Sequence, residues 1–93
     1  MALNSKLSYR LLQGITGNAT RFSIPTNISE LCVYTCNSSG TTTSCTPIYK
    51  VNGQWNNNLF QIAGGVGDTI EIKISNDVLY VSSSTGYYYV VGR

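Results

Sequence analysis

Histidine is missing from the chain. With it go the commonest general base and the commonest metal ligand near neutral pH. Charge is scarce: Asp, Glu, Lys and Arg together make 11% of the 93 residues, against roughly 25% in an ordinary soluble domain. The six basic residues, Lys6, Arg10, Arg21, Lys50, Lys73 and Arg93, form no run, and the net charge is only +2. Nucleic-acid binding needs a clustered basic stripe, so no nucleic-acid partner is expected. No stretch approaches the roughly 20 apolar residues of a membrane-spanning helix. The opening MALNSKLSYR holds no apolar run of signal-peptide length. The expectation is a soluble chain without a membrane span, made in a cytoplasm.

Acids are as few as bases. Glu71 falls on the wet face of an alternating run, while Asp68 and Asp77 fall in turns, where Asp caps backbone groups. Glu30 stands alone ahead of an apolar run, so a paired-carboxylate site has little to build on. Cys32 and Cys36 stand four apart in LCVYTC. Four residues of strand span about 13 Å, beyond the roughly 7 Å limit of a disulfide. Cys36 and Cys45 flank NSSGTTTS and are the one pair placed to bridge, with three reduced thiols packed as small apolar groups as the favoured state. A zinc site would need a fourth ligand that a chain without His does not offer. No metal, no cofactor and no catalytic residue is expected, and the chain is read as a non-enzyme. GGVGD precedes a strand and not a helix, so it reads as a turn and not a phosphate cradle.

Thr, Ser, Asn, Gly and Tyr fill the space that charge leaves, a composition that suits strands and turns. The clearest stretch is residues 69–81, TIEIKIS-ND-VLYV. Ile70, Ile72 and Ile74 alternate with polar residues, the period of a half-buried strand. Asn76-Asp77 turns the chain, and Val78-Leu79-Tyr80-Val81 returns. Asn52-Gly53 is the strongest of the other hairpin signals. Further strands are expected at 7–12, 21–24, 31–36, 46–51, Leu59–Ala63 and 87–91. Residues 37–44 read as a long exposed loop and 82–86 as a linker. Both faces of 31–36 carry apolar groups, which suits a central strand or one covered on both sides. Pro47 places its strand near a sheet edge. About eight short strands with turn signals every 8–12 residues predict one all-β domain, 1–93. It would be a single antiparallel β-sandwich, jelly-roll-like.

Seven tyrosines and one tryptophan supply amphipathic contact groups. Tyr87-Tyr88-Tyr89 must place rings on both faces of its strand. The candidate contact residues are therefore Tyr87, Tyr88 and Tyr89, with Trp55 and the adjoining Asn56, Asn57 and Asn58. One face of the last strand is core; the other is covered by a partner or left as a contact platform.

Three segments carry a likeness. LLQGITG near the start leads to IPTNISELCVY, and the chain closes on an aromatic-valine run ending in Arg. In Leu11, Leu12, Thr16, Gly17, Ile24, Pro25, Glu30, Leu31 and residues 87–93 the chain resembles small β-sandwich domains of structural proteins from tailed bacteriophages and prophages of Gram-positive bacteria. It differs in its three cysteines and its Val-Val-Gly-Arg ending. The resemblance implies a non-enzymatic virion module of a tail, fibre or head-decoration protein, assembled as a homo-oligomer or with other virion proteins. A host-attachment role would use protein or cell-surface glycan contacts. The alternative is a phage accessory protein that, as a small oligomer, sequesters a small host molecule or inhibits a host protein.

Overall fold

Ile70, Ile72 and Ile74 are buried while Glu71 and Lys73 between them are exposed. The chain is described here by a computed structural model covering residues 8–56, 59–63 and 69–93. Nine strands lie among the described residues: β1 (Arg10–Thr16), β2 (Thr20–Ser23), β3 (Glu30–Cys36), β4 (Thr42–Val51), β5 (Gln54–Trp55), β6 (Leu59–Ala63), β7 (Thr69–Ser75), β8 (Val78–Ser84) and β9 (Tyr87–Gly92). One of them, β5, is only two residues long. The strands form two antiparallel sheets, β1-β9-β3-β4-β5 and β2-β8-β7-β6. This is the expected all-β sandwich of about eight short strands.

Both hairpin turns follow from local chemistry. Asn52 and Gly53 sit at φ 53° and 77°, Asn76 and Asp77 at φ 51° and 57°. Two successive left-handed residues make the turn whose twist matches that of the flanking strands. The winding is jelly-roll-like in one respect. The first two strands pair with the last two, β1 with β9 in one sheet and β2 with β8 in the other. The inner strands are simple hairpins, β3 with β4 and β6 with β7.

The core lies between the sheets. Leu31, Val33, Ile48, Tyr88 and Val90 from the five-stranded sheet meet Ile70, Ile72, Ile74, Leu79 and Val81 from the other. Ile24 and Ile28, from the β2–β3 connection, close one end. The first expected strand is displaced. It spans Arg10–Thr16, and register shifts between Leu11 and Gln13 and between Gln13 and Thr16 interrupt its pairing. Each bulge moves the following side chain to the other face. Leu11 faces out with Val91 and is 65% exposed, while its neighbour Leu12 packs against the core, as strand alternation requires.

Two further expectations are corrected. The loop after β3 spans 37–41 and not 37–44, because pairing resumes at Thr42. Asn37 organises it: its Oδ1 accepts from the Ser39 and Thr41 N–H groups at 3.0 and 2.9 Å. The expected 82–86 linker is also shorter, since Ser82, Ser83 and Ser84 continue β8. The GGVGD turn lies outside the described residues. No helix among the described residues is long and apolar enough to cross a membrane.

Candidate functional site

In an antiparallel sheet, directly opposed residues share a face. The register therefore sorts every side chain of the five-stranded sheet. Gly92, Val90 and Tyr88 of β9 point inward with Leu31, Val33 and Thr35 of β3. Tyr87, Tyr89 and Val91 point outward with Cys36, Tyr34 and Cys32. On β4, Tyr49, Pro47 and Cys45 stand opposite Glu30, Cys32 and Tyr34 and share that outer face. Leu11 of β1 stands opposite Val91.

The exposed large hydrophobic residues among those described are Tyr9, Leu11, Ile15, Tyr49, Val51 and Tyr87. All six fall on this outer face. At its centre Tyr34 and Tyr89 stack across strands, with ring centroids 4.9 Å apart and planes 11° from parallel. The Tyr9 ring lies beside Cys32, whose thiol donates to its hydroxyl at 3.5 Å, and the Arg93 guanidinium sits 4.4 Å from its centroid. That thiol bond first, and burial second, push the Tyr9 phenol above its ordinary range. Arg93 Nε in turn donates to Glu30 Oε2, closing an ion pair on the face itself.

The outer face of the other sheet is different in kind. Arg21, Tyr80 and Lys73 form one cross-strand row, with the Lys73 ammonium 5.9 Å from the Tyr80 centroid. Ser23, Glu71 and Ser82 are exposed around it. Among the described side chains of β2, β7 and β8 that is an ordinary solvated surface.

The sequence candidates divide sharply. Tyr87 is exposed on the aromatic face and Tyr89 lies half-buried beside it, its hydroxyl 3.0 Å from Thr42 Oγ1. Tyr88 is a correction: it is 0% exposed and belongs to the core. Its hydroxyl donates to the Asn18 carbonyl and accepts from Thr20 Oγ1, both at 2.7 Å. Strand alternation forces this split, because the face shared with Val90 is the inner one.

Trp55 packs against the core. Its indole N–H donates to Asp77 Oδ1 at 3.0 Å, and Lys50 Nζ lies 3.4 Å from the same oxygen and 5.1 Å from the ring centroid. The three groups clasp β4–β5 of one sheet to the β7–β8 turn of the other. The indole bond first, and Lys50 after it, hold the Asp77 carboxyl below its usual range. An open cleft of about 480 Å³ lies between Gly53–Trp55 and Ile74–Asp77. The Trp55 N–H and the Asp77 carboxylate that line it are already spent on one another. Asn56 is spent on backbone too, accepting from the Tyr49 N–H at 3.0 Å. Asn57 and Asn58 lie outside the described residues.

Sequence reasoning missed Leu11, Ile15 and Val51, and counted Tyr9 and Tyr49 only among the amphipathic aromatics without singling them out. One signal did point to them, namely the apolar character of both faces of β3. The three cysteines are free thiols. Cys32 and Cys36 are buried and Cys45 is exposed; burial pushes the Cys36 thiol up. No group of three or more His, Cys, Asp or Glu able to hold a metal occurs among the described residues.

The Glu30–Arg93 pair carries a pH signature. The guanidinium hydrogen bond holds the Glu30 carboxyl below its usual range. A carboxyl depressed by folding stabilises the folded state above its unfolded pKa, and that gain is lost as pH falls through the folded value. Urea midpoints measured between about pH 7 and pH 3 are expected to fall less steeply at the acid end in Glu30→Gln than in the parent chain. An identical acid limb would show that the pair contributes nothing.

No family model, curated protein or solved structure matches this chain.

Proposed function

We propose that this chain is a non-enzymatic contact module, virion-associated in character, that holds the outer face of its five-stranded sheet against another protein surface. One observation carries this. Among the residues whose side chains are described, the exposed large hydrophobic ones gather on one sheet face, while those on the outer side of β2, β7 and β8 are charged and polar. Contiguous apolar surface of this kind marks an interaction site. Tyrosine suits such a site, since it offers a large rigid apolar face and a hydroxyl that both donates and accepts. The segmental likeness to phage structural domains supports the virion setting. The engagement of Trp55, Asn56 and Asp77 within the fold favours a protein contact over a glycan bound at that end.

If the face is kept for contact and not for folding, its exposed members are dispensable to the monomer. Leu11→Thr, Tyr49→Thr and Val51→Thr keep strand-compatible residues while removing apolar surface. Each is expected to change the unfolding free energy by about 0.5 kcal/mol or less in dilute urea titrations. Losses of about 2 kcal/mol or more at each position would assign the face to folding and overturn the proposal.

A further inference from the structure

Resting on that reading, we infer that the surface which covers this face is a second copy of the same chain, packed sheet on sheet about a two-fold axis. Four properties of the face point to this occupant.

The first is charge. Among the described residues the face carries Glu30 and Arg93, and these are paired with each other. It therefore presents no net charge, so a strongly acidic or basic partner finds nothing to neutralise. An identical copy, by contrast, meets no repulsion. Charge depletion at the centre with tyrosine enriched is the composition of interface cores. The second is hydrogen bonding. Tyr49 and Tyr87 present hydroxyls, and a hydroxyl can donate to and accept from its own kind. A two-fold contact needs this self-complementarity, because the same patch meets itself.

The third is that the edges of this sheet are closed to strand addition. The register shifts in the pairing of β1 with β9 distort that edge strand, and at the other edge the short β5 covers the end of β4 while Pro47 removes a donor from the rest. With both edges blunted, the face is what remains for docking. The fourth is area. Four strands of about seven residues cover roughly 450 Å² in projection. A corrugated face has more accessible surface than its projection, so two copies would bury on the order of 1,200 Å². That is the lower bound of stable interfaces. The geometry therefore assigns a weak, reversible dimer, at the micromolar end of the range that such interfaces span.

Sedimentation velocity across a micromolar concentration series tests the inference. The parent chain is expected to pass from monomer to dimer mass. Leu11→Glu, which places charge at the most exposed apolar position, is expected to weaken association at least tenfold. Lys73→Glu, on the opposite sheet, is expected to leave it unchanged. A readout without mutation runs beside these. Cys45 is the exposed thiol and lies on the face. Its rate of modification by a maleimide is expected to fall severalfold as concentration rises through the transition. A chain that stays monomeric throughout, a dimer indifferent to Leu11→Glu, or a Cys45 rate independent of concentration overturns the inference. A monomer whose threonine variants keep full stability would still leave the face as a contact surface for a different protein. Threonine variants that unfold would instead remove the contact reading itself.

Discussion

Tyr88→Ala is expected to cost about 3–5 kcal/mol, the usual range for removing a large aromatic ring from a packed core. The chain is small, and domains of this kind hold only about 5–15 kcal/mol in total. The variant should therefore lose a large fraction of the stability of the chain. Tyr88 is fully buried, and its ring stands between β1 and β3 on the inner face of β9. Its hydroxyl reaches the Asn18 carbonyl in the β1–β2 connection and the Thr20 hydroxyl at the start of β2. One side chain thus fills the core and pins the crossing from one sheet to the other. Tyr88→Phe separates the two jobs. It keeps the ring and leaves two polar groups without their partner, for an expected loss of about 1–3 kcal/mol. Urea unfolding followed by circular dichroism measures both. If Tyr88→Phe were as damaging as Tyr88→Ala, the ring would contribute little. If both were mild, the assignment of Tyr88 to the core would be wrong.

The second large effect is expected at Gly92. A Cβ at this position would lie 2.9 Å from Leu12 Cδ1, 3.0 Å from Ile28 Cγ2 and 3.1 Å from the Glu30 carbonyl oxygen. The two methyl groups can shift, but the carbonyl belongs to a backbone held by reciprocal bonds between Glu30 and Arg93. Overpacking of this kind costs about 1–3 kcal/mol. Gly92→Ala is expected in that range, less a few tenths regained from the unfolded chain. Gly92→Val, with two more carbons to place, should cost clearly more. A graded loss of thermal midpoint from Gly to Ala to Val is the expected series. Equal midpoints would mean that β9 moves outward freely at this point.

The hairpins were legible because they depend on neighbours in sequence. Asn52-Gly53 and Asn76-Asp77 need only their own tolerance of left-handed angles, and the Ile70–Ile72–Ile74 alternation needs only its own strand. β1 was not legible, because its two bulges arise from pairing with β9, which lies at the other end of the chain. The three consecutive tyrosines show the same divide. Alternation requires Tyr88 to face away from Tyr87 and Tyr89, but which side is core depends on Thr35 and Thr16 opposite it. The aromatic outer face is scattered over β1, β3, β4 and β9, and only strand order brings it together. Trp55 looked like a surface contact because Asn56, Asn57 and Asn58 follow it. Its indole instead finds Asp77, 22 residues away, across the gap between the sheets.

The wrapping of the first two strands around the last two sets the order in which this molecule can fold. β1 and β2 are synthesised before their partners β9 and β8. β3 can form its hairpin with β4 at once, but its other neighbour is again β9. Contacts that close such long loops are slow to form, and folds dominated by them reach the native state in milliseconds to seconds. During synthesis the early strands therefore wait with their apolar sides open, and a chain cut before Tyr87 lacks the strand that stands between β1 and β3. Completion of the five-stranded sheet has to await β9, the strand that joins β1 to β3.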